Sequence, residues 1–136
     1  MSASFANRLF PILDTIAGEF GTPFHLYDET GIVECGHRLN ELFAPVAGFR
    51  EFHAVKALPN LRILDLLRRE LGFGFDCSSI AELRMARSLG ARGEDIMFTS
   101  NNTSPAEYAE ALGDGGCILN LDDLSFVDKP AFIPEL

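Results

Sequence analysis

From about residue 51 onwards, apolar residues alternate between short strand-like runs and longer helical stripes. The runs end near Lys56, Asp76, Thr99 and Leu121, at separations of 20, 23 and 22 residues. Each interval has room for one strand and one short helix. Consecutive strand–helix units of this kind predict a parallel sheet joined by right-handed crossovers.

The helices between these strands carry recognisable start and stop signals. Apolar residues recur at helical spacing over 61–71, and Gly72 follows as a stop. Ser79–Glu82 and Ser104–Glu107 have the sequence of capping boxes, and the second has proline at the first helical position. These signals predict helices from 79 to 89 and from 104 to about 112. The strands predicted around them are Phe73–Cys77, Asp95–Thr99 and Cys117–Leu121.

The N-terminal third has a different order of elements. An apolar stripe predicts a helix over 7–20, in which Pro11 falls within about the first turn, where proline is tolerated. A strand over 22–27 follows. Asp28 is then a plausible N-cap for a helix over 29–43.

Two architectures fit the repeated units, a doubly wound open sheet and part of a (β/α)₈ barrel. No Gly-x-Gly-x-x-Gly follows the first strand, so a dinucleotide-binding site lacks its usual anchor. A closed barrel has eight units and typically about 250 residues. This chain has four units in 136 residues.

Composition narrows the classes of partner. A net charge of -9 argues against nucleic acid, and no apolar run is long enough to span a membrane. The N-terminus does not have the pattern of a secretory signal. Cys35, Cys77 and Cys117 are odd in number and scattered, which indicates reduced thiols in a cytoplasmic protein and no metal site.

Lys56 is the candidate nucleophile of the chain. It is one of only two lysines, the other being Lys129, and it ends an apolar run that Pro59 and Asn60 turn into a helix. A lysine at the mouth of a buried strand loses contact with water, which favours the neutral, nucleophilic amine. The alternative is a side chain that extends from the strand end into solvent.

The stretch His53–Asn60, His-Ala-Val-Lys-Ala-Leu-Pro-Asn, resembles the Tyr/His-Ala-Val-Lys-Ala-Asn-Pro signature of the fold-type III pyridoxal-phosphate decarboxylases. This family includes diaminopimelate and ornithine decarboxylases. The resemblance extends from about Thr22 to Asp128. The similar stretches come in the family's order: Thr22–Asp28, Gly74–Ser79 with Glu82, Ile96–Ser104 and Ile118–Asp123.

The resemblance implies an α/β fold in which residues 46–136 form the first half of a TIM barrel. Residues 1–45 are then an N-terminal helix, strand and helix that lead into it, and the rest of the barrel and a C-terminal β-domain are absent. The resemblance also assigns three side chains. Lys56 bonds to pyridoxal 5'-phosphate and is the catalytic residue, while Asp76 and Glu82 lie beside the cofactor. Local physics offers helix capping as the alternative role for both carboxylates.

The implied function is decarboxylation of an amino acid. The Ser-Asn-Asn-Thr-Ser and Asn-Leu-Asp-Asp loops look most like diaminopimelate decarboxylase, which converts meso-diaminopimelate to L-lysine and carbon dioxide in lysine biosynthesis. The full-length protein is then expected to be a homodimer. The family's phosphate-binding glycine loop and the acidic residue facing the pyridine nitrogen come after residue 136. We therefore predict weak cofactor binding and no useful turnover for this chain alone.

Three alternatives stay open. The substrate of a decarboxylase could be ornithine, arginine or carboxynorspermidine. The chain could also be a non-catalytic pyridoxal-phosphate-binding or regulatory protein, or an interaction fragment that pairs through its open sheet edges. The segment Thr22–Asp28, which in decarboxylases typically joins the β-domain, favours the enzyme. His25, His37 and His53 are interpreted as packing or surface residues.

Overall fold

The computed structural model describes residues 2–121, 123 and 124. These residues belong to two compact units that divide between Pro45 and Val46. Each unit is described by itself below. Among the described residues, no helix is both long enough and apolar enough to cross a membrane.

The first unit begins with two short helices, α1 over Ala3–Leu9 and α2 over Leu13–Phe20. The prediction of one helix over 7–20 is therefore wrong. The helix starts earlier because the hydroxyl of Ser2 accepts a hydrogen bond from the backbone N–H of Phe5. It is interrupted because Pro11, which has no N–H, lies in a 3₁₀ turn between the two helices.

The predicted strand over 22–27 is also wrong: the segment is irregular, with no ladder partner among the described residues. A strand is stabilised by a neighbouring backbone, which an apolar pattern alone does not supply. Helix α3, Glu29–Phe43, has the predicted bounds. Asp28 is the N-cap residue of this helix, as predicted, and its backbone carbonyl accepts from the N–H of Ile32 at 3.0 Å. Its side chain makes no capping hydrogen bond of the usual kind; the carboxylate accepts from Arg8 Nε at 3.1 and 3.2 Å. This pairing with Arg8 lowers the pKa of Asp28.

The second unit is a four-stranded parallel sheet, as predicted. Its strands lie in chain order, which agrees with the barrel that the resemblance implies. Its helices follow the strands in the expected alternation and provide the crossovers between them. The strands are β1 Phe52–Ala54, β2 Gly74–Cys77, β3 Gly93–Thr99 and β4 Cys117–Asn120. The helices are α4 Leu61–Leu71, α5 Ile80–Ser88 and α6 Pro105–Leu112.

The signals read from the sequence fix the helix ends of this unit. The side-chain oxygen of Asn60 accepts from the backbone N–H groups of Arg62 and Ile63 and so begins α4. Gly72 ends α4 in the left-handed conformation, at φ 70°. The predicted capping box of α6 is present with both reciprocal bonds between Ser104 and Glu107.

The two faces of the sheet differ in what they contact. The helix face packs against α4, α5 and α6 and holds the core, in which Phe75 is fully buried. Burial raises the pKa of the Cys77 thiol on this face to about 12. Because side chains alternate along a strand, the intervening residues lie on the opposite face, which we call the Asp76 face. The Asp76 face comprises Phe52, Ala54, Asp76, Met97, Thr99, Ile118 and Asn120.

Candidate active site

Lys56 lies two residues beyond the end of β1. The strand stops at Ala54, and Val55–Ala57 forms a 3₁₀ turn in which the backbone N–H of Leu58 donates to the carbonyl of Val55 at 3.2 Å. The Val55 side chain is fully buried, whereas Lys56 is exposed. The predicted loss of water contact at Lys56 is therefore wrong for the described chain, because the turn leaves the side chain at the surface.

Asp76 lies on the strand next to the one that leads to Lys56. Its backbone is in register with Ala54 of β1 and with Met97 of β3. Its Oδ1 atom is buried and has no hydrogen-bond partner among the described residues. An unpaired buried acceptor costs roughly 1–3 kcal/mol, so it is an exception that calls for a partner such as a bound ligand.

The predicted capping role explains Glu82. Its Oε2 accepts from the backbone N–H of Ser78 at 2.8 Å, and its Oε1 accepts from the hydroxyl of Ser79 at 3.0 Å. The hydroxyl of Ser79 in turn accepts from the backbone N–H of Glu82. Both carboxylate oxygens are thus used at the N-terminus of α5. Asp76 takes no part in this cap and keeps its free oxygen.

His53 does not lie on the same face of the sheet as Asp76. His53 is in register with Phe75, so it lies on the helix face of β1, opposite to the Asp76 face. Its Nε2 is buried without a hydrogen-bond partner among the described residues, and burial lowers the pKa of His53. His25 and His37 are exposed, in accord with the interpretation as surface residues.

The structure adds two polar residues that the sequence analysis did not single out as a pair. Thr99 and Asn120 are in register at the carboxyl ends of β3 and β4. Asn120 Nδ2 donates to Thr99 Oγ1 at 3.3 Å. Strand alternation could place Thr99 on the same face as Met97, but the match of these residues with Asp76 and Asn120 required the strand register that the structure provides. The described residues contain no group of three or more metal-ligating side chains.

The fold and the site place this chain in the class of α/β proteins with a parallel sheet, which bind their ligands at the carboxyl ends of the strands. Lys56 follows the end of one such strand, and the Asp76 Oδ1 atom, unpaired among the described residues, lies on the next. The particular family follows from comparison with known proteins. The model of the pyridoxal-dependent decarboxylase family, for its pyridoxal-binding domain, matches residues 31–130. The chain belongs to this family. The predictions of the family and of pyridoxal phosphate as its cofactor are confirmed.

Curated relatives agree with the family but are much longer than this chain. Protein TabA of Pseudomonas amygdali pv. tabaci is 49% identical over 136 residues, which are 100% of this chain and 32% of that protein. Diaminopimelate decarboxylase of Deinococcus radiodurans is 39% identical over 109 residues, covering 79% of this chain and 27% of the enzyme. The chain thus spans about a third or less of the length of these relatives.

Solved structures agree in fold. Diaminopimelate decarboxylase from M. jannaschii, in complex with L-lysine, matches with a TM-score of 0.73 and 29% identity, over 82% of this chain and 26% of the enzyme. Ornithine decarboxylase from Entamoeba histolytica matches with a TM-score of 0.73 and 28% identity, over 90% of this chain and 38% of that structure. The predicted fold class, the first part of a TIM barrel, is confirmed.

Proposed function

We propose that this chain is the N-terminal, cofactor-binding part of a pyridoxal-phosphate-dependent decarboxylase that converts meso-diaminopimelate to L-lysine and carbon dioxide. Support for the substrate comes from relatives named diaminopimelate decarboxylase at 36–39% identity over about three quarters or more of this chain. Support also comes from the solved neighbour that holds L-lysine, the product expected of this reaction. The full-length protein is proposed to be a cytoplasmic homodimer.

The observation that carries the proposal is the buried, unpaired Oδ1 of Asp76 on the strand next to the one that leads to Lys56. Adjacent strands lie about 4.8 Å apart, so a lysine side chain on one reaches a ligand held by the other. Lys56 offers an exposed primary amine to an aldehyde, and Asp76 offers an acceptor to a donor on the ligand. The two side chains therefore fit pyridoxal phosphate.

These positions suggest a separate role for each of the three predicted site residues. When bound, pyridoxal phosphate supplies the electron sink that allows an α-carboxylate to leave as carbon dioxide. Lys56, after the end of β1, would bind the aldehyde carbon of the cofactor. Asp76 would hold the ring by accepting a hydrogen bond at its buried oxygen, on the strand beside Ala54. Glu82 acts indirectly, by holding the N-terminus of α5 and the loop after β2.

We expect Asp76→Asn to weaken pyridoxal-phosphate binding at least about tenfold, because a hydrogen bond to a charged group contributes roughly 1.5–3 kcal/mol. The measurement is a titration of the visible absorbance of the adduct. Glu94→Gln is the matched control: it neutralises an exposed carboxylate on β3, near the opposite end of that strand from Thr99. Equal binding by the two variants would contradict a cofactor contact at Asp76.

We expect the 136-residue chain by itself to release no carbon dioxide above background from meso-diaminopimelate. The family resemblance puts the phosphate-binding loop and the partner of the pyridine nitrogen later in the sequence, and without them the ring is held only at one side. The measurement is release of labelled carbon dioxide, with ornithine, arginine and carboxynorspermidine as parallel substrates. Substantial release from any of them would show that the present residues suffice for turnover. In a protein that carries the remaining residues, preference for another of these substrates would refute the proposed one.

A further inference from the structure

The Asp76 face has two rows of side chains that run across the sheet at different levels. The lower row contains Asp76, with Met97 and Ile118 in register beside it on β3 and β4. The upper row lies two residues further along each strand and contains Thr99 and Asn120, again in register. Because the strands are parallel, the upper row lies closer to the carboxyl ends of the strands, where ligands of barrel proteins bind.

The hydrogen bond between Thr99 and Asn120 leaves binding groups available. Asn120 uses one N–H of its amide to reach Thr99 Oγ1 at 3.3 Å. Among the described residues its second N–H and its carbonyl oxygen have no hydrogen-bond partner, and the threonine hydroxyl can still donate its own hydrogen. Asn120 is exposed and Thr99 is half-buried. The pair therefore presents at least two hydrogen-bond donors on the face that carries the free oxygen of Asp76.

The distances across the sheet suggest what these donors would meet. Strands β3 and β4 lie two and three strand spacings from β1, which is about 10 and 14 Å. A ring that is bonded to the tip of the Lys56 side chain and held by Asp76 would lie over β1 and β2, with β3 and β4 next along the sheet. Apart from the aldehyde, the oxygen-bearing substituents of pyridoxal phosphate are a phenolic oxygen and a phosphate, and both are anionic. Neutral N–H and O–H donors suit such groups without adding charge.

We propose that Thr99 and Asn120 are further cofactor-binding residues, which donate hydrogen bonds to an anionic oxygen of pyridoxal phosphate. The inference rests on the proposed function, since it assumes that the cofactor bonds to Lys56. It assigns to β3 and β4 a direct role in holding the cofactor, in addition to their place in the sheet. The hydrogen bond between the two side chains already restricts their rotation. Less conformational entropy is therefore lost when they bind a ligand.

The test uses the intact chain with limiting pyridoxal phosphate, trapping by borohydride, and mass spectrometry of the trapped lysines. The readout is labelling of Lys56 relative to Lys129, the second lysine in the sequence. We expect Thr99→Val to lower this ratio about threefold to tenfold, the range for one neutral hydrogen bond. We expect Asn120→Asp to lower it by about tenfold or more, because a carboxylate replaces a donor and repels an anion.

Two comparisons separate binding from a purely structural role. Ser88→Ala removes a hydroxyl that donates to the carbonyl of Met85 at 2.7 Å on the exposed side of α5, and it should leave the ratio unchanged. Raising the salt concentration should partly restore labelling in Asn120→Asp, because screening weakens charge repulsion at an exposed site.

Repeating the series with pyridoxal, which lacks the phosphate, identifies the oxygen that the pair binds. An effect only with pyridoxal phosphate assigns the phosphate, and an equal effect with both assigns the phenolic oxygen.

The outcomes distinguish this inference from the function on which it rests. If the unaltered chain labels Lys56 in preference to Lys129 and both variants keep that preference, Thr99 and Asn120 are not part of the site and the proposed function stands. If the unaltered chain shows no preference for Lys56, the proposed function fails and this inference fails with it. Circular dichroism of each variant verifies that the sheet is retained.

Discussion

Replacing Lys56 by arginine is expected to abolish the adduct between the chain and pyridoxal phosphate. Arginine keeps the positive charge and a similar length, but its guanidinium stays protonated and cannot condense with an aldehyde. Because Lys56 is exposed in the turn after β1, the variant loses no packing, and the folded state should be unaffected. The measurement is the visible absorbance of the adduct before and after borohydride, with the modified residue located by mass spectrometry.

Lys129→Arg is the matched control, because it makes the same chemical change at the other lysine of the sequence. It should leave the adduct intact. The proposal would be contradicted if Lys56→Arg retained a stable adduct with unchanged absorbance, or if both lysines of the unaltered chain reacted equally. An exposed amine reacts with free aldehyde to some extent anywhere on a protein. The preference for Lys56, and not labelling alone, is therefore the relevant quantity.

That preference has a different physical origin from the one the sequence suggested. The apolar run before Lys56 predicted an amine removed from water. In the structure β1 ends at Ala54, and a 3₁₀ turn brings Lys56 to the surface. Selectivity must then come from groups that hold the rest of the ligand beside the amine, with Asp76 first among them. A hydrophobic pattern predicts where a strand lies, but not the residue at which the strand ends and a turn begins.

The second unit was predictable because several local signals agree. Asn60, Gly72 and the Ser104–Glu107 box each mark a helix end through a hydrogen bond or a backbone conformation that their residue types favour. The apolar runs between them were all strands of one parallel sheet. Consistency among caps, spacing and pattern is what makes a sequence specify a fold. Here these signals predicted a parallel sheet but left two architectures open, and only the family resemblance implied the barrel.

The first unit was less predictable because its features depend on contacts distant in sequence. Asp28 has the residue type of an N-cap, yet its carboxylate pairs with Arg8, twenty positions away. The segment over 22–27, which has the pattern of a strand, is irregular and has no neighbouring strand among the described residues. The pairing of Thr99 with Asn120 likewise required the register of β3 and β4, which residue types alone do not give. Local signals thus predicted the scaffold better than the site.

Truncating Phe75 to alanine is expected to lower the free energy of unfolding by about 3–5 kcal/mol, the usual cost of removing a buried aromatic side chain from a core. Phe75 is fully buried in β2 and is in register with Ile96 of β3 on the helix face. It belongs to a core cluster that includes Leu64 of α4 and Leu83 of α5, and a densely packed core tolerates the loss of a ring poorly. The measurement is the midpoint and slope of denaturation in urea.

Phe20→Ala supplies the control, because the Phe20 side chain is 71% exposed and its removal should change stability by no more than about 0.5 kcal/mol. Phe75→Leu keeps most of the apolar volume and should lie between the two, which secures a folded variant if alanine unfolds the chain. Equal losses for Phe75→Ala and Phe20→Ala would mean that the core does not lie between the sheet and its helices. The Asp76 face would then no longer be the face left for a ligand, and the positions of Lys56 and Asp76 would lose their significance.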